Sequence, residues 1–293
     1  MLKRLEFLAV YLLLHLFRFM PFPLLYAFSR FAYLVAYYVA GYRKKVVTTN
    51  LKNSFPEKSP AEINEITRKF YRNFCDVLAE TIKGSTLSES SLKKRFVALN
   101  PELLDDLFHQ NKSVILVGAH YANSEWGKIL SRQQKHPIIV IYSPFMNKYI
   151  DQYYNRSRVK FGMKLFPYEK TLRAFNEMKH GPYIFLMGVD QRPFDPRNAW
   201  WMTFLNQDTP CHKGYEQIAR KFNVPVVYSD IQRVKKGYYT IRYILLCEEP
   251  AKTDEGFIVT LFMQTLEKIL KNKPEDWLWS HNRWKYQRVS DPV

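Results

Sequence analysis

Apolar and polar positions alternate along this chain in three different ways. Residues 5–40 are almost continuously apolar, dominated by Leu, Phe, Tyr, Ala and Val. Pro21 and Pro23 divide that stretch into two runs. Glu6, His15 and Arg18 shorten the first run, and Arg30 interrupts the second. A bilayer span needs about 20 apolar residues, so the pattern fits one long span, an interfacial helix or a shallow re-entrant hairpin. Lys3 and Arg4 precede residues 7–14 as they would in a signal peptide, but no small-x-small cleavage site closes the run.

Further on, the period becomes helical. Ser59-Pro60-Ala61-Glu62 combines a capping serine, a first-turn proline and a glutamate at the capping-box position. Ile63, Ile66, Phe70, Phe74, Leu78 and Ile82 then recur at helical spacing up to Gly84, which predicts a long helix with a core-facing stripe.

From Lys112 the pattern changes again. Short apolar runs at 114–119, 138–142, 183–189 and 224–229 predict buried strands. Helical patterns lie between them, near 124–134, 147–161, 169–179 and 212–222. Residues 239–245 alternate after the Lys236-Gly237 turn signal and predict an antiparallel strand, and residues 253–271 predict a last helix. Strands alternating with helices imply an α/β fold, a mostly parallel central sheet flanked by helices. The composition shift after the apolar N-terminus divides the chain into a membrane-associated helical segment, 1–41, and a second unit, 42–293.

Charge narrows the partners. The 293 residues carry 44 Lys and Arg against 27 Asp and Glu, a formal charge of +17. That excess favours acidic partners such as anionic lipid, phosphorylated substrates, an acidic carrier protein or nucleic acid. Basic and aromatic residues together suit single-stranded nucleic acid and a membrane interface equally well. Arg43, Lys44 and Lys45 directly follow the apolar segment and predict a cytoplasmic orientation against anionic headgroups. The three cysteines, Cys75, Cys211 and Cys247, lie far apart and form no C-x-x-C, which argues against a disulfide framework or a zinc ribbon.

The chemistry concentrates where residues 114–119 end at His120, with Glu125 five positions later. On one regular helix those side chains would diverge by about 140°. With His120 ending a strand and Glu125 opening the next helix, capped by Asn123 or Ser124, the turn brings them together. The carboxylate then orients the imidazole and raises its basicity. Such a pair deprotonates a hydroxyl without an enzyme nucleophile. The chain has no G-x-S-x-G, Walker A loop, G-x-G-x-x-G or H-E-x-x-H, which leaves serine hydrolysis, nucleotide binding and that zinc site without support. A catalytically silent basic protein that binds anionic membrane or nucleic acid stays open on these grounds.

His120-Tyr-Ala-Asn-Ser-Glu125 resembles the H-x4-[DE] motif of the glycerolipid and lysophospholipid acyltransferases, and more specifically that of the bacterial lipid A biosynthesis acyltransferases. In that family a Trp often precedes the Glu; here Trp126 follows it. Tyr42-Arg-Lys-Lys-Val-Val and Asn50-Leu-Lys-Asn-Ser-Phe-Pro56 are similar to the family's post-anchor segment. Arg156-Ser-Arg158-Val-Lys-Phe-Gly162 resembles its basic helix. Val189-Asp190-Gln191 resembles its Asp-Gln-Asp strand end, with Arg192 in place of the second acid. Residues 204–210 are similar to its loop before a helix, and residues 275–285 resemble its C-terminal signature.

The resemblance implies transfer of a fatty acyl chain from an acyl carrier protein or coenzyme A thioester to a hydroxyl of a phosphorylated glycolipid, a lipid A precursor. The work would be done at the cytoplasmic face of the bacterial inner membrane, with no cofactor, no metal and no nucleic-acid partner. Another lysolipid, aminolipid or glycolipid is the alternative acceptor. On this reading His120 is the general base and Glu125 its helper. Arg158, Asp190, Asn123 and Thr209 are candidates for substrate contact. Trp277, Trp279, His281 and Arg283 are candidates for headgroup contact or for packing of the C-terminal tail.

Overall fold

The computed structural model describes residue 11, residues 16–17 and residues 19–288. Lys3, Arg4, Glu6, His15, Arg18 and nearly all of the first apolar run lie outside the described residues. The second run forms α1 (Phe22–Leu34), continued by a π-helical turn over Val35–Val39. Pro21 occupies the N-cap of α1 and so separates the two runs. Leu25, Ser29 and Tyr33 are its buried side. Phe19, Leu24, Phe31, Leu34, Tyr38 and Val39 are exposed on or beside it. No single helix among the described residues is long and apolar enough to cross a membrane. Phe22–Val39 and Lys44–Ser54, bent by 85°, satisfy length and composition together.

The buried side of α1 rests on the predicted long helix. After α2 (Lys44–Ser54), α3 runs over Pro60–Gly84 and carries the complete Ser59–Glu62 capping box. Two short elements follow, α4 (Glu89–Arg95) and α5 (Glu102–His109), with strand β1 (Phe96–Ala98) between them.

The alternating part of the chain begins with β2 (Val114–Gly118), then a 3₁₀ segment over Ser124–Arg132, β3 (Ile138–Tyr142), α6 (Lys148–Lys160), β4 (Lys164–Pro167), α7 (Thr171–Phe175) and β5 (Ile184–Gly188). A hairpin of β6 (Trp200–Phe204) and β7 (Gln207–Cys211) interrupts the alternation. It is followed by α8 (Gly214–Phe222), β8 (Val226–Lys235), β9 (Tyr238–Cys247) and α9 (Phe257–Asn272).

The main sheet has seven strands in the order β1-β9-β8-β2-β5-β3-β4. β8, β2, β5, β3 and β4 are parallel, whereas β9 is antiparallel to β8 and β1 is parallel to β9. The expected α/β class therefore holds, as does the antiparallel strand after Gly237. The central strands are buried on both faces, which is why they read as unbroken apolar runs. Ile115, Val117, Phe185 and Tyr228 pack with α9 on one side; Leu116, Ile129, Ile184 and Val227 pack in a second cluster.

Three local expectations need correction. The segment near 124–134 is 3₁₀ rather than α-helical. Gly127, Ser124 and Ser131 are weak helix formers. The trace is pinned from outside instead, by Trp126 Nε1 donating to the Glu80 carbonyl at 2.9 Å and Lys128 Nζ to the Gly84 carbonyl at 2.8 Å. Residues 204–210 belong to the β6–β7 hairpin rather than to a loop. Leu205 and Asn206 both adopt positive φ in its two-residue turn. Leu205 is held there by full burial and by its N–H donating to Glu267 Oε2 at 2.9 Å. Lastly, Asn123 stands at the N-cap of the 3₁₀ segment without capping it.

Candidate active site

β2 and β5 are neighbours in parallel register, and Gly118 pairs with Gly188. His120 lies two residues past the first glycine and Asp190 two residues past the second. The register therefore sets the two side chains side by side at the carboxyl edge of the sheet, where ligands of such folds bind. The His120 backbone N–H donates to Asp190 Oδ2 at 3.0 Å, and its Nδ1 meets Asp190 Oδ1 at 2.7 Å. Asp190 is 1% exposed, whereas the imidazole is 42% exposed. Nε2 makes no hydrogen bond among the described residues. A Cβ on Gly188 would lie 3.1 Å from His120 Cε1, so the missing side chain lets the ring lie over the β5 end.

This overturns the expected orientation of the histidine. The carboxylate that meets the imidazole is Asp190, and Glu125 turns to Arg158, Oε1 to Nη2 2.6 Å. A chain leaving a strand end points back only through a tight turn, and here Ala122 supplies it with φ 53. The turn buries Asn123 and Trp126 against α3, leaving Glu125 directed toward α6. The Arg158 guanidinium also lies 4.9 Å over the Tyr154 ring. Glu125 remains close enough to influence His120 through its charge.

The protonation states follow from these contacts. Burial alone would drive the Asp190 carboxyl upward. The charge of His120 and hydrogen bonds from His120 and Trp277 outweigh it, holding the group down at about 2. Burial pulls the His120 imidazole down, but the Asp190 charge and hydrogen bond, with Glu125 behind them, push it above its ordinary value. An ionised carboxylate only accepts. Nδ1 therefore carries the hydrogen, and Nε2 is the free acceptor.

The C-terminal signature clamps this corner. Trp277 Nε1 donates to Asp190 Oδ2 at 2.8 Å. The Leu278 N–H donates to the His120 carbonyl at 3.1 Å, and the Ala122 N–H to the Asp276 carbonyl at 2.9 Å. Trp277, Trp279 and Arg283 are buried, so they belong to packing and not to headgroup contact. His281 accepts from the Arg192 N–H at 3.3 Å, and burial beside Arg192 pulls its imidazole down to about 4.

The remaining candidates separate from this centre. Asn123 is fully buried and donates from Nδ2 to Glu80 Oε2 at 3.1 Å. Thr209 is fully buried in β7, accepts from Trp284 Nε1 at 2.7 Å and donates to the Gln207 carbonyl. Arg158 stands with Glu125. Neither Asn123 nor Thr209 hydrogen-bonds to His120. Lys128 neighbours the Glu125–Arg158 pair; burial brings its ammonium down to about 8, and it donates to Ser157 Oγ at 2.6 Å. A groove of about 560 Å³ opens beside α6, lined by Tyr142, Asn155, Arg156, Val159, Lys160 and Leu165 among others, and His120 does not line it. Among the described residues, no three His, Cys, Asp or Glu side chains gather to hold a metal.

Sequence reasoning missed the role of Trp277 and the pairing of Asp190. A signal for the second was present. Val114-Ile-Leu-Val-Gly-Ala-His120 and Ile184-Phe-Leu-Met-Gly-Val-Asp190 share one pattern, four apolar residues, Gly, one apolar residue and a polar end. Two such strands side by side present their polar ends together.

Comparison with known proteins identifies the family. The family model described as bacterial lipid A biosynthesis acyltransferase matches residues 1–286. The chain is 22% identical over 251 residues to the lipid A biosynthesis palmitoleoyltransferase of Escherichia coli (strain K12), covering 85% of this chain and 81% of that protein. It is 23% identical over 272 residues to the lipid A biosynthesis lauroyltransferase of the same organism, covering 91% and 87%. A Shigella flexneri protein named lipid A biosynthesis acyltransferase 2 is 22% identical over 241 residues, covering 80% and 76%.

Proposed function

The chain belongs to the bacterial lipid A biosynthesis acyltransferase family, and from that premise we propose that it transfers a fatty acyl group from an acyl carrier protein or coenzyme A thioester to a hydroxyl of a phosphorylated lipid A precursor. The observation that carries the reading is the half-exposed His120 imidazole, whose Nδ1 is fixed by buried Asp190 and whose Nε2 is free.

In the proposed reaction Nε2 takes the proton of the acceptor hydroxyl as its oxygen attacks the thioester carbonyl. Asp190 holds the tautomer and stabilises the imidazolium that forms, as the acid of a triad does. The tetrahedral intermediate collapses with loss of the thiolate, which takes the proton back from Nε2. No acyl-enzyme forms, and proton and charge balance. The N–H groups of His120 and Ala122 are already engaged. Arg158, partly exposed beside Glu125, is therefore the group we assign to the developing oxyanion. Glu125 fixes Arg158 and adds to the basicity of His120. Asn123 and Thr209, both fully buried, act in packing: Asn123 ties the turn after His120 to Glu80, and Thr209 holds Trp284.

We further propose that the enzyme works at the cytoplasmic face of the bacterial inner membrane. The exposed apolar side of α1 supports this, because α1 borders the carboxyl edge of the sheet that bears His120. Lys236, at the β8–β9 turn on that edge, lies 5.2 Å over the Tyr26 ring. The cations Arg43, Lys44 and Lys45 follow directly and suit anionic headgroups. The second unit, 42–293, would then carry the whole reaction, with 1–41 bringing it to its acceptor.

The test is a reconstituted transfer. The full chain, an acyl thioester and a lipid A precursor are combined, and the lipid product is weighed by mass spectrometry. One added acyl chain is expected from the native protein. His120→Ala should reduce turnover by about 10³-fold, the scale of general-base catalysis, with Tm little changed. Undiminished turnover by that variant would remove the basis of the mechanism.

A further inference from the structure

Three loops leave the carboxyl edge of the sheet beside His120, after β3, β4 and β5. Each carries a large apolar side chain into solvent. Met146 is 96% exposed, Phe194 69% and, where β4 leads into α7, Leu172 in the first turn of that helix 59%. Phe145 and Tyr168 are also exposed. The tips are joined: Tyr168 stacks on Phe194 with ring centroids 5.2 Å apart, across the end of β3. Phe145 meets Tyr154 of α6 edge to face at 5.4 Å. Arg156, Lys170 and Arg173 are exposed close to these tips in the chain, and among the described residues none of the three side chains makes a hydrogen bond or an ion pair.

We propose that these loop tips form a second lipid-contact surface, which seats the His120 edge against an anionic bilayer. The proposal rests on the reading that the acceptor is drawn from a membrane. An exposed apolar patch rimmed by cations is the signature of a membrane site. The N-terminal segment also reaches α6, the helix that follows the first tip. Tyr11 meets Tyr153 of α6 edge to face at 6.2 Å, and α6 starts directly after Met146. The sheet edge is thus flanked by α1 on the β8 side and by the tips on the β3–β4 side. Both flanks touch the same lipid plane, so an acceptor lipid enters between them. Tips this exposed insert among headgroups, and Met146, Tyr168 and Phe194 do not line the groove beside α6, the kind of concave surface that captures a protein helix.

The experiment uses the full chain with Cys247→Ser, because Cys75 and Cys211 are buried and Cys247 is half-buried. Met146→Cys and Phe194→Cys each carry an environment-sensitive fluorophore. Gln110→Cys, at the entry to β2 and so at the opposite end of the sheet, is the control. With vesicles containing phosphatidylglycerol, labels at 146 and 194 should shift to the blue and escape quenching by aqueous iodide, and the label at 110 should do neither. Met146→Asp with Phe194→Asp should raise the KM for a vesicle-embedded acceptor about tenfold and leave it unchanged for an acceptor in detergent. Three results overturn the proposal: labels at 146 and 194 that stay open to iodide on vesicle-bound protein, a chain that does not bind the vesicles, or labels that respond to an acidic carrier protein and not to vesicles. A chain that inserts both tips yet transfers no acyl group would refute the reaction and leave the surface standing.

Discussion

The indole N–H of Trp277 competes with His120 for the negative charge of Asp190. Both bind the same carboxylate, at 2.8 and 2.7 Å. Without the indole, that charge acts more fully on the imidazole and holds its proton more tightly. A general base works unprotonated, so the rate falls as pH drops through the histidine's raised pKa. Trp277→Phe should therefore move the acid limb of kcat/KM to higher pH. Asp190→Asn removes the charge, should move the limb to lower pH, and costs about 10²- to 10⁴-fold in rate. Glu125→Gln should also move it down, by less, since Glu125 raises His120 less than Asp190 does. A profile recorded for the four proteins decides it, and a limb that Trp277→Phe leaves in place would reduce that residue to packing. At this scale the place of His120 beyond a strand end was legible because an apolar run stops at a histidine. The choice of partner was not, because Asp190 is distant in sequence and only strand register brings it near.

The long helix α3 is more than a core stripe. Its buried Asp76 accepts from Ser29 Oγ of α1 at 2.6 Å and pairs with Arg233 of β8 at 2.6 Å. One turn on, Glu80 accepts from Tyr26 at 2.8 Å, Tyr239 at 2.5 Å, the Gly237 N–H at 2.9 Å and Asn123 at 3.1 Å. Burial pushes the Glu80 carboxyl up in spite of these donors. The seam ties α1, α3, the β8–β9 turn and the loop after His120 into one assembly. Asp76→Ala strands the buried Arg233 charge and should cost about 3–5 kcal/mol. Ser59→Ala loses only the exposed capping box, about 1 kcal/mol. Chemical denaturation of both variants tests the ranking, and equal losses would show the buried pair to be expendable. The helix and the cap of α3 follow from local spacing alone. Of the expected stripe Ile63 and Phe70 are buried, whereas Leu78 is exposed and Tyr71, Cys75 and Ala79 fill the core side, because the packing of α1 and the sheet sets which face turns inward. The inward direction of Asp76 and Glu80 does not follow from spacing, since their partners are supplied by α1 and the β8–β9 hairpin.

Over the whole molecule, a charge of +17 and an apolar N-terminal face would act on the proposed membrane by different physics. The Coulomb attraction is screened within about 8 Å at physiological ionic strength, and burial of apolar surface is not. Binding of the full chain to phosphatidylglycerol vesicles should therefore weaken several-fold as salt rises, then level off without vanishing. Flotation at increasing salt reads this directly, and complete release would deny the apolar face any part.

The order of strands and helices, the α/β class and the family were all written in linear pattern, because apolar period and short motifs are local properties. The short edge strands β1 and β4, the β6–β7 hairpin and the 3₁₀ segment were not, since distant packing shapes them. The same holds for the centre of the molecule. Sequence brought a histidine to a strand end, but pairing of Gly118 with Gly188 gave it Asp190, and the C-terminal segment added Trp277. Hydrogen bonds between residues 70 and 87 positions apart exist only once neighbouring strands and the chain's far end have been brought to one edge.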